Sequence, residues 1–165
     1  GIIDLLTAFS QISHPKKSIT LVGSYAATFI DWLSKNAYLS DDVKILGHVP
    51  QIKLKEIMSK SHALVLPSLE EGLAMVQAQA MACGCPIVAT HNAGADTLYT
   101  DGVEGFIVPI RNPTVLAQKL QYLADNPDIQ HTMSRASLAA VQSKGGWTEY
   151  GEKMYGVMKA LCGID

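Results

Sequence analysis

The sequence predicts an α/β fold, a parallel sheet with helices on both faces. Three observations carry that reading. Short β-branched and apolar runs, each bounded by Gly, Pro or Ser, alternate with longer stretches of helical period. The runs are nearly all apolar rather than alternating, as strands buried on both faces should be. And 165 residues, 48% of them hydrophobic, are enough for one core and one ordinary domain, 1–165.

Taken in order, the first element is a helix from Ile2 to Ile12, with Ile2, Leu5, Leu6 and Phe9 on one face. A strand follows at Ser18 to Val22 and a helix at Thr28 to Lys35. The next pair is a strand at Val43 to Leu46 and a helix at Lys53 to Ser61. The third strand is Ala63 to Leu66, and its helix, Ala74 to Cys83, carries Ala74, Ala78, Ala80 and Ala82, small enough to lie close on a sheet. Gly84 and Pro86 stop that helix before the strand Ile87 to Thr90. A last strand at Phe106 to Val108 precedes helices at Pro113 to Ala124 and Ile129 to Gln142, where Pro113 and Pro127 suit first-turn positions. The terminal helix, 147–161, spaces Trp147, Tyr150, Met154, Met158 and Leu161 as a core-like stripe. A doubly wound sheet normally opens with a strand, whereas this chain opens with a helix. The opening strand is therefore expected to be missing, which leaves a central slot.

Composition excludes several classes. Lys and Arg total 13 against 15 Asp and Glu, without clustering, so the basic face that nucleic acid requires is absent. The longest apolar runs, such as Ala63-Leu64-Val65-Leu66, are far shorter than the roughly twenty residues that cross a bilayer. The first residues lack the basic start of a secretory signal, so a cytoplasmic location is expected. Cys83 and Cys85 flank Gly84 too closely for an easy disulfide and lack a second ligand pair for zinc; both are read as reduced and buried. His14, His62, His91 and His131 show no metal spacing, and Lys16 and Lys17 read as a solvated turn. A nicotinamide-dependent oxidoreductase is disfavoured because Gly23-Ser24-Tyr25-Ala26-Ala27-Thr28 lacks the second and third fingerprint glycines; no Gly-Lys-Ser or Gly-Lys-Thr occurs for a P-loop.

The informative stretch runs from Leu66 to Thr90. It reads strand, loop, helix, loop, strand, and in an open parallel sheet the loop Pro67 to Gly72 lies at the ligand edge. Gly72 permits close backbone approach, and the helix after it aims free amides and a positive dipole end at that edge, which suits an anion. Glu71 and Gln79 are eight residues apart, about 12 Å at most on a helix axis, which resembles the span between a hexose and a ribose joined by two phosphates. A carboxylate accepts two hydrogen bonds from a diol, and Gln79 can accept one and donate one. The competing reading is an acidic first turn, Glu70 and Glu71, with Gln79 facing solvent. Asn92 to Asp96 also faces the ligand edge, with Asp96 read as a helix cap.

Glu71 to Val88 resembles the donor-site signature of retaining glycosyltransferases of the two-domain GT-B fold, family four, in which Glu, seven residues and a second Glu precede Gly-x-Pro. The likeness extends over nearly the whole chain: Ser18 to Gly23, Val43 to Val49, Asp101 to Val108, Asn112-Pro113 and Trp147 occur in the same order. It implies the carboxyl-terminal donor-binding domain, a Rossmann-like parallel sheet, and no cofactor, with a UDP- or GDP-sugar as substrate. It places Glu71 in the catalytic site, bonded to sugar hydroxyls. Gln79 then stands at the ribose position, Gly72, Leu73, Ala74 and Met75 meet sugar and diphosphate, Gly47, His48 and Val49 lie beside the base, and Gly23 lies near the phosphates. The residues themselves also allow a bland reading of His48, as a loop histidine. Gly72-Leu73-Ala74 departs from the usual Gly-Phe-Gly, and Gln79 replaces the second Glu. The resemblance further implies an amino-terminal acceptor domain as partner, an upstream Arg and Lys for the diphosphate, a role in polysaccharide or glycolipid assembly, and a peripheral place at the inner membrane. Without its partner domain the chain is expected to be inactive and to self-associate through exposed apolar surface. The alternative is a non-catalytic nucleotide-sugar-binding or interaction module.

Overall fold

The computed structural model describes residues 1–36 and 38–163, and in them five strands alternate with helices. Helix α1 (Ile2–Gln11) buries Leu5, Leu6, Ala8 and Phe9, the face its period marks out. Lys17 closes its far end: Nζ donates to the Phe9 carbonyl at 2.9 Å and the Ile12 carbonyl at 2.8 Å, and lies 4.9 Å from the centre of the Phe9 ring. A cation is favoured among the unpaired carbonyls at a helix terminus. Lys17 is thus a cap for α1, not the solvated turn residue expected.

The chain continues through β1 (Ile19–Val22), α2 (Ala27–Lys35), β2 (Val43–Gly47), α3 (Gln51–Met58), β3 (Leu64–Leu66) and α4 (Met75–Ala82). Then come β4 (Ile87–Thr90), a 3-10 turn (His91–Ala93), α5 (Ala95–Leu98), β5 (Gly105–Val108), α6 (Pro113–Asp125), α7 (Pro127–Lys144) and α8 (Trp147–Cys162). All pairings are parallel, in two sheets ordered β1-β2 and β3-β4-β5. Among the described residues no ladder joins β1 to β3. Ile19 and Leu21 of one sheet, and Val65 of the other with Ala63 just before it, still pack on one cluster with Leu5, Ala8, Val88, Phe106 and Val108.

Burial corrects one expectation. Only β4, flanked by β3 and β5, is buried at every residue; β1 and β3 are half-buried and β2 alternates. An edge strand has one neighbour and one covered face, so the apolar run in β2 does not make it interior. On the other side of β4, Met81, Cys85, Ile87, Ala89 and Tyr99 form a second cluster beneath α4. Burial there pushes the Cys85 thiol up to about 12 and raises Tyr99 as well. Gly105 sits so close to the Ile87 carbonyl that any Cβ would overlap it. Asn112 caps α6 by accepting from the Val115 amide at 3.0 Å, with Pro113 in the first turn.

Helix α8 exists where its period puts it, but the stripe is not core. No residue of α8 is buried, with Trp147 75% and Leu161 81% exposed. Periodicity marks an apolar face and cannot supply the surface that covers it. Among the described residues no helix is long and apolar enough to cross a membrane.

Candidate functional site at the carboxyl ends of the strands

The parallel register of β3 on β4 (Leu64↔Ile87, Leu66↔Ala89) brings their carboxyl ends side by side, and with them two loops distant in sequence. These loops are stitched together. The Glu71 amide donates to the Asn92 carbonyl at 2.9 Å, and Asn92 Nδ2 donates to the Leu69 carbonyl at 2.9 Å. Thr90 Oγ1, at the buried end of β4, donates to the Ser68 carbonyl at 2.5 Å. Gly94, at φ +68°, completes the contact: a Cβ there would stand 2.5 Å from the Gly72 carbonyl oxygen. A positive φ and this close approach both require glycine.

Glu71 is exposed at the top of this clasp, and Ser68 Oγ donates to its Oε2 at 2.9 Å. A line of contacts therefore runs from the buried Thr90 through Ser68 to the carboxylate, fixing where it can receive hydroxyl donors. Ala74 follows as the N-cap of α4, at φ −71° and ψ 104°, and no side chain caps the helix. The Gln77 amide turns back to the Ala74 carbonyl at 3.0 Å, which leaves the Met75 and Val76 amides at the front of α4 available to an anion. Gly72, Leu73 and Met75 are exposed around that end, while Ala74 is buried. Gln79 lies half-buried on α4. Because the helix begins only at Met75, Glu71 to Gln79 is half loop, and the axial distance of about 12 Å does not bound their separation.

A second group stands on the other sheet. The Gly23 amide, at the end of β1, donates to the Gly47 carbonyl at 2.9 Å, bringing Gly23 beside Gly47, His48 and Val49. His48 is exposed and Val49 half-buried. The expected site residues therefore form two clusters, Glu71 to Gln79 and Gly23 with Gly47 to Val49, each internally tied by backbone. Two surface grooves, of about 600 Å³ beside α5 and α7 and about 510 Å³ beside α6, involve none of these residues. Backbone amides and the carboxylate are better markers of binding chemistry than a shallow groove.

Asn92 stands at the ligand edge as expected, whereas Ser68, Thr90 and Gln77 hold contacts that were not expected of them. Gln77 is fully buried; its Nε2 donates to the Ala93 carbonyl at 2.7 Å, and its Oε1 has no partner among the described residues. A polar residue on the sheet-facing side of α4 was the available signal. Asp96 is not the cap expected of it: Gly94 holds the N-cap of α5 and Asp96 lies in the first turn. Among the described residues, no three His, Cys, Asp or Glu side chains are grouped to hold a metal.

With this geometry in place, likeness to known proteins becomes informative. The family model "Glycosyl transferases group 1" matches residues 1–139. The D-inositol 3-phosphate glycosyltransferase of Streptomyces griseus is 34% identical over 107 residues, 65% of this chain and 23% of that protein. The chain spans about a quarter of the first relatives it matches. Sucrose-phosphate synthase from Thermosynechococcus elongatus superposes with TM-score 0.89 at 25% identity, over 100% of this chain and 43% of that one. HepE from Anabaena, solved with UDP-glucose, shares the fold at TM-score 0.84 and 22% identity, over 97% of this chain and 45% of that one. These neighbours carry the GT-B fold. Both α/β architecture and ordered motifs thus agree with the family model: the chain belongs to the glycosyl transferases group 1 family.

Proposed function

We propose that this chain is the donor-binding half of a retaining glycosyltransferase, and that it holds a UDP- or GDP-sugar at the carboxyl edge of its strands. The observation that carries the reading is the clasp of the β3 and β4 loops, which holds the Glu71 carboxylate beside the uncapped front of α4. HepE, a fold neighbour, was solved with UDP and with UDP-glucose, which supports a nucleotide-sugar as ligand.

In this reading Glu71 accepts hydrogen bonds from sugar hydroxyls, and the amides around Gly72, Leu73, Ala74 and Met75 receive the diphosphate. Gln79 meets the ribose, Gly47, His48 and Val49 border the base, and Gly23 opens the loop near the phosphates. As the glycosidic bond breaks, charge grows on the departing diphosphate, where preorganised amide donors stabilise it. Those amides supply partial charges only, so full catalysis also needs cations and an acceptor site from an amino-terminal domain. The exposed stripe of α8 is the surface assigned to that domain, or to self-association of the chain alone. The acceptor belongs to polysaccharide or glycolipid assembly, in the cytoplasm at the inner membrane face.

Calorimetric titration with UDP, UDP-glucose, GDP and GDP-mannose tests this. Saturable heat is expected with one nucleotide pair. Glu71→Ala then weakens the nucleotide-sugar by about tenfold or more, as expected for a lost charged acceptor, and leaves the bare nucleotide unchanged. Gln79→Glu holds nucleotide affinity, whereas Gln79→Leu weakens it by about 1 kcal/mol or more. No saturable binding of any of the four ligands refutes the proposal.

A further inference from the structure

The ends of β1 and β2 present a patch of backbone without side chains. Gly23 lies at φ +138° and a Cβ there would meet nothing within 4 Å; Gly47 lies at φ +66°, and its Cβ would meet only the Tyr25 hydroxyl, at 3.8 Å. The Gly23 amide bonds the Gly47 carbonyl, so the two bare positions adjoin. The β1–β2 register shifts between Leu21 and Val22, so that Val22 pairs with Gly47 at the end of the ladder. The Tyr25 side chain reaches the edge of the patch, its hydroxyl nearest Gly47. It is 44% exposed, and its ring leans on Phe29 with centres 6.5 Å apart at 50°. The segment around it, Ser24 to Thr28, carries no charge.

A floor of glycine backbone beside an anchored, water-exposed aromatic side chain is shaped for a flat, neutral heterocycle. We infer that Tyr25 stacks on the nucleobase of the donor, with Gly23 and Gly47 as the floor beneath it. The inference rests on the nucleotide-sugar reading above and adds a residue which that reading does not use. A π-face tolerates any base, so Tyr25 supplies affinity for the base as such, and discrimination between uracil and guanine falls to hydrogen-bonding groups nearby.

The test titrates UDP, GDP and inorganic pyrophosphate into the unaltered chain, Tyr25→Ala and Tyr25→Phe, with a thermal melt of each. Base stacking on an aromatic predicts that Tyr25→Ala weakens the nucleotide that binds by about 5- to 150-fold, with pyrophosphate affinity and melting midpoint unchanged. Tyr25→Phe keeps the π-face and stays near the parent affinity. Nucleotide added to the parent chain also moves the Tyr25 ring protons upfield in its NMR spectrum. Undiminished nucleotide affinity in Tyr25→Ala overturns this inference alone. So does equal loss of nucleotide and pyrophosphate binding together with a lowered midpoint, which marks a folding defect. If the parent chain binds neither UDP nor GDP, the nucleotide-sugar reading falls and this inference falls with it.

Discussion

Two glycines in the left-handed region separate conformational strain from close contact, and so test the clasp that holds Glu71. Gly94 and Gly102 lie at φ +68° and +81°. Alanine at either must adopt a backbone conformation that costs L-residues about 1–2 kcal/mol. At Gly102 that is the whole cost, because a Cβ there meets nothing within 4 Å. At Gly94 the Cβ arrives 2.5 Å from the Gly72 carbonyl oxygen and 3.3 Å from the Leu73 Cα, and backbone must yield. The loops can part only by stretching the Glu71 amide to Asn92 bond and the Asn92 side-chain bond to Leu69. A polar group left unsatisfied in such a place costs about 1–3 kcal/mol. Gly94→Ala should therefore lose about 2–5 kcal/mol of stability against about 1–2 for Gly102→Ala, read from urea unfolding of both variants beside the parent. The same displacement moves Glu71, so Gly94→Ala should also weaken the nucleotide-sugar more than the bare nucleotide. Matching unfolding midpoints for the two variants would show that the β3 and β4 loops do not touch as described, and the basis for placing Glu71 would go with them.

Gln77→Leu exchanges two opposing costs of about 1–3 kcal/mol each, removing the unpartnered Oε1 while stranding the Ala93 carbonyl. Its melting midpoint should stay close to that of the parent while UDP-glucose affinity falls several-fold as the turn after β4 loosens; a large stability loss with unchanged affinity would make Gln77 a purely structural residue. Cys85 makes a pH prediction. Its thiol is raised from the ordinary 9.0 to about 12, so the stability it contributes is whole below pH 9 and is lost as pH rises from there toward 12. Melts between pH 7 and 11 should steepen above 9 by up to about 1.4 kcal/mol per pH unit, and Cys85→Ala should remove that share of the slope; an unchanged slope in the variant would refute the assignment.

Much of the fold was legible because it depends on local pattern. The strand Ile87–Thr90 falls on the run that announces it, and the helix Ile2–Gln11 buries the face its period marks. The 3-10 turn and α5 are three and four residues long, below the length at which a period can be seen, and so a loop was expected there. Lys17 reads as a surface charge until α1 folds back and offers its carbonyls. Site residues divide in the same way. Glu71 and Gly72 stand out by residue type beside a strand end, whereas Ser68, Thr90 and Asn92 gain meaning only from one another.

By itself, then, the sequence determined the strands and the longer helices, the parallel class of the fold, and the family pattern from Glu71 to Pro86, because each depends on residues near one another along the chain. Tertiary structure alone decided that Thr90 reaches Ser68 across 22 positions, that Gly94 packs against the Gly72 carbonyl, and that the Tyr25 hydroxyl comes beside Gly47. Those contacts depend on the register between neighbouring strands, which is set by packing of the whole sheet against its helices and is not written in any one segment.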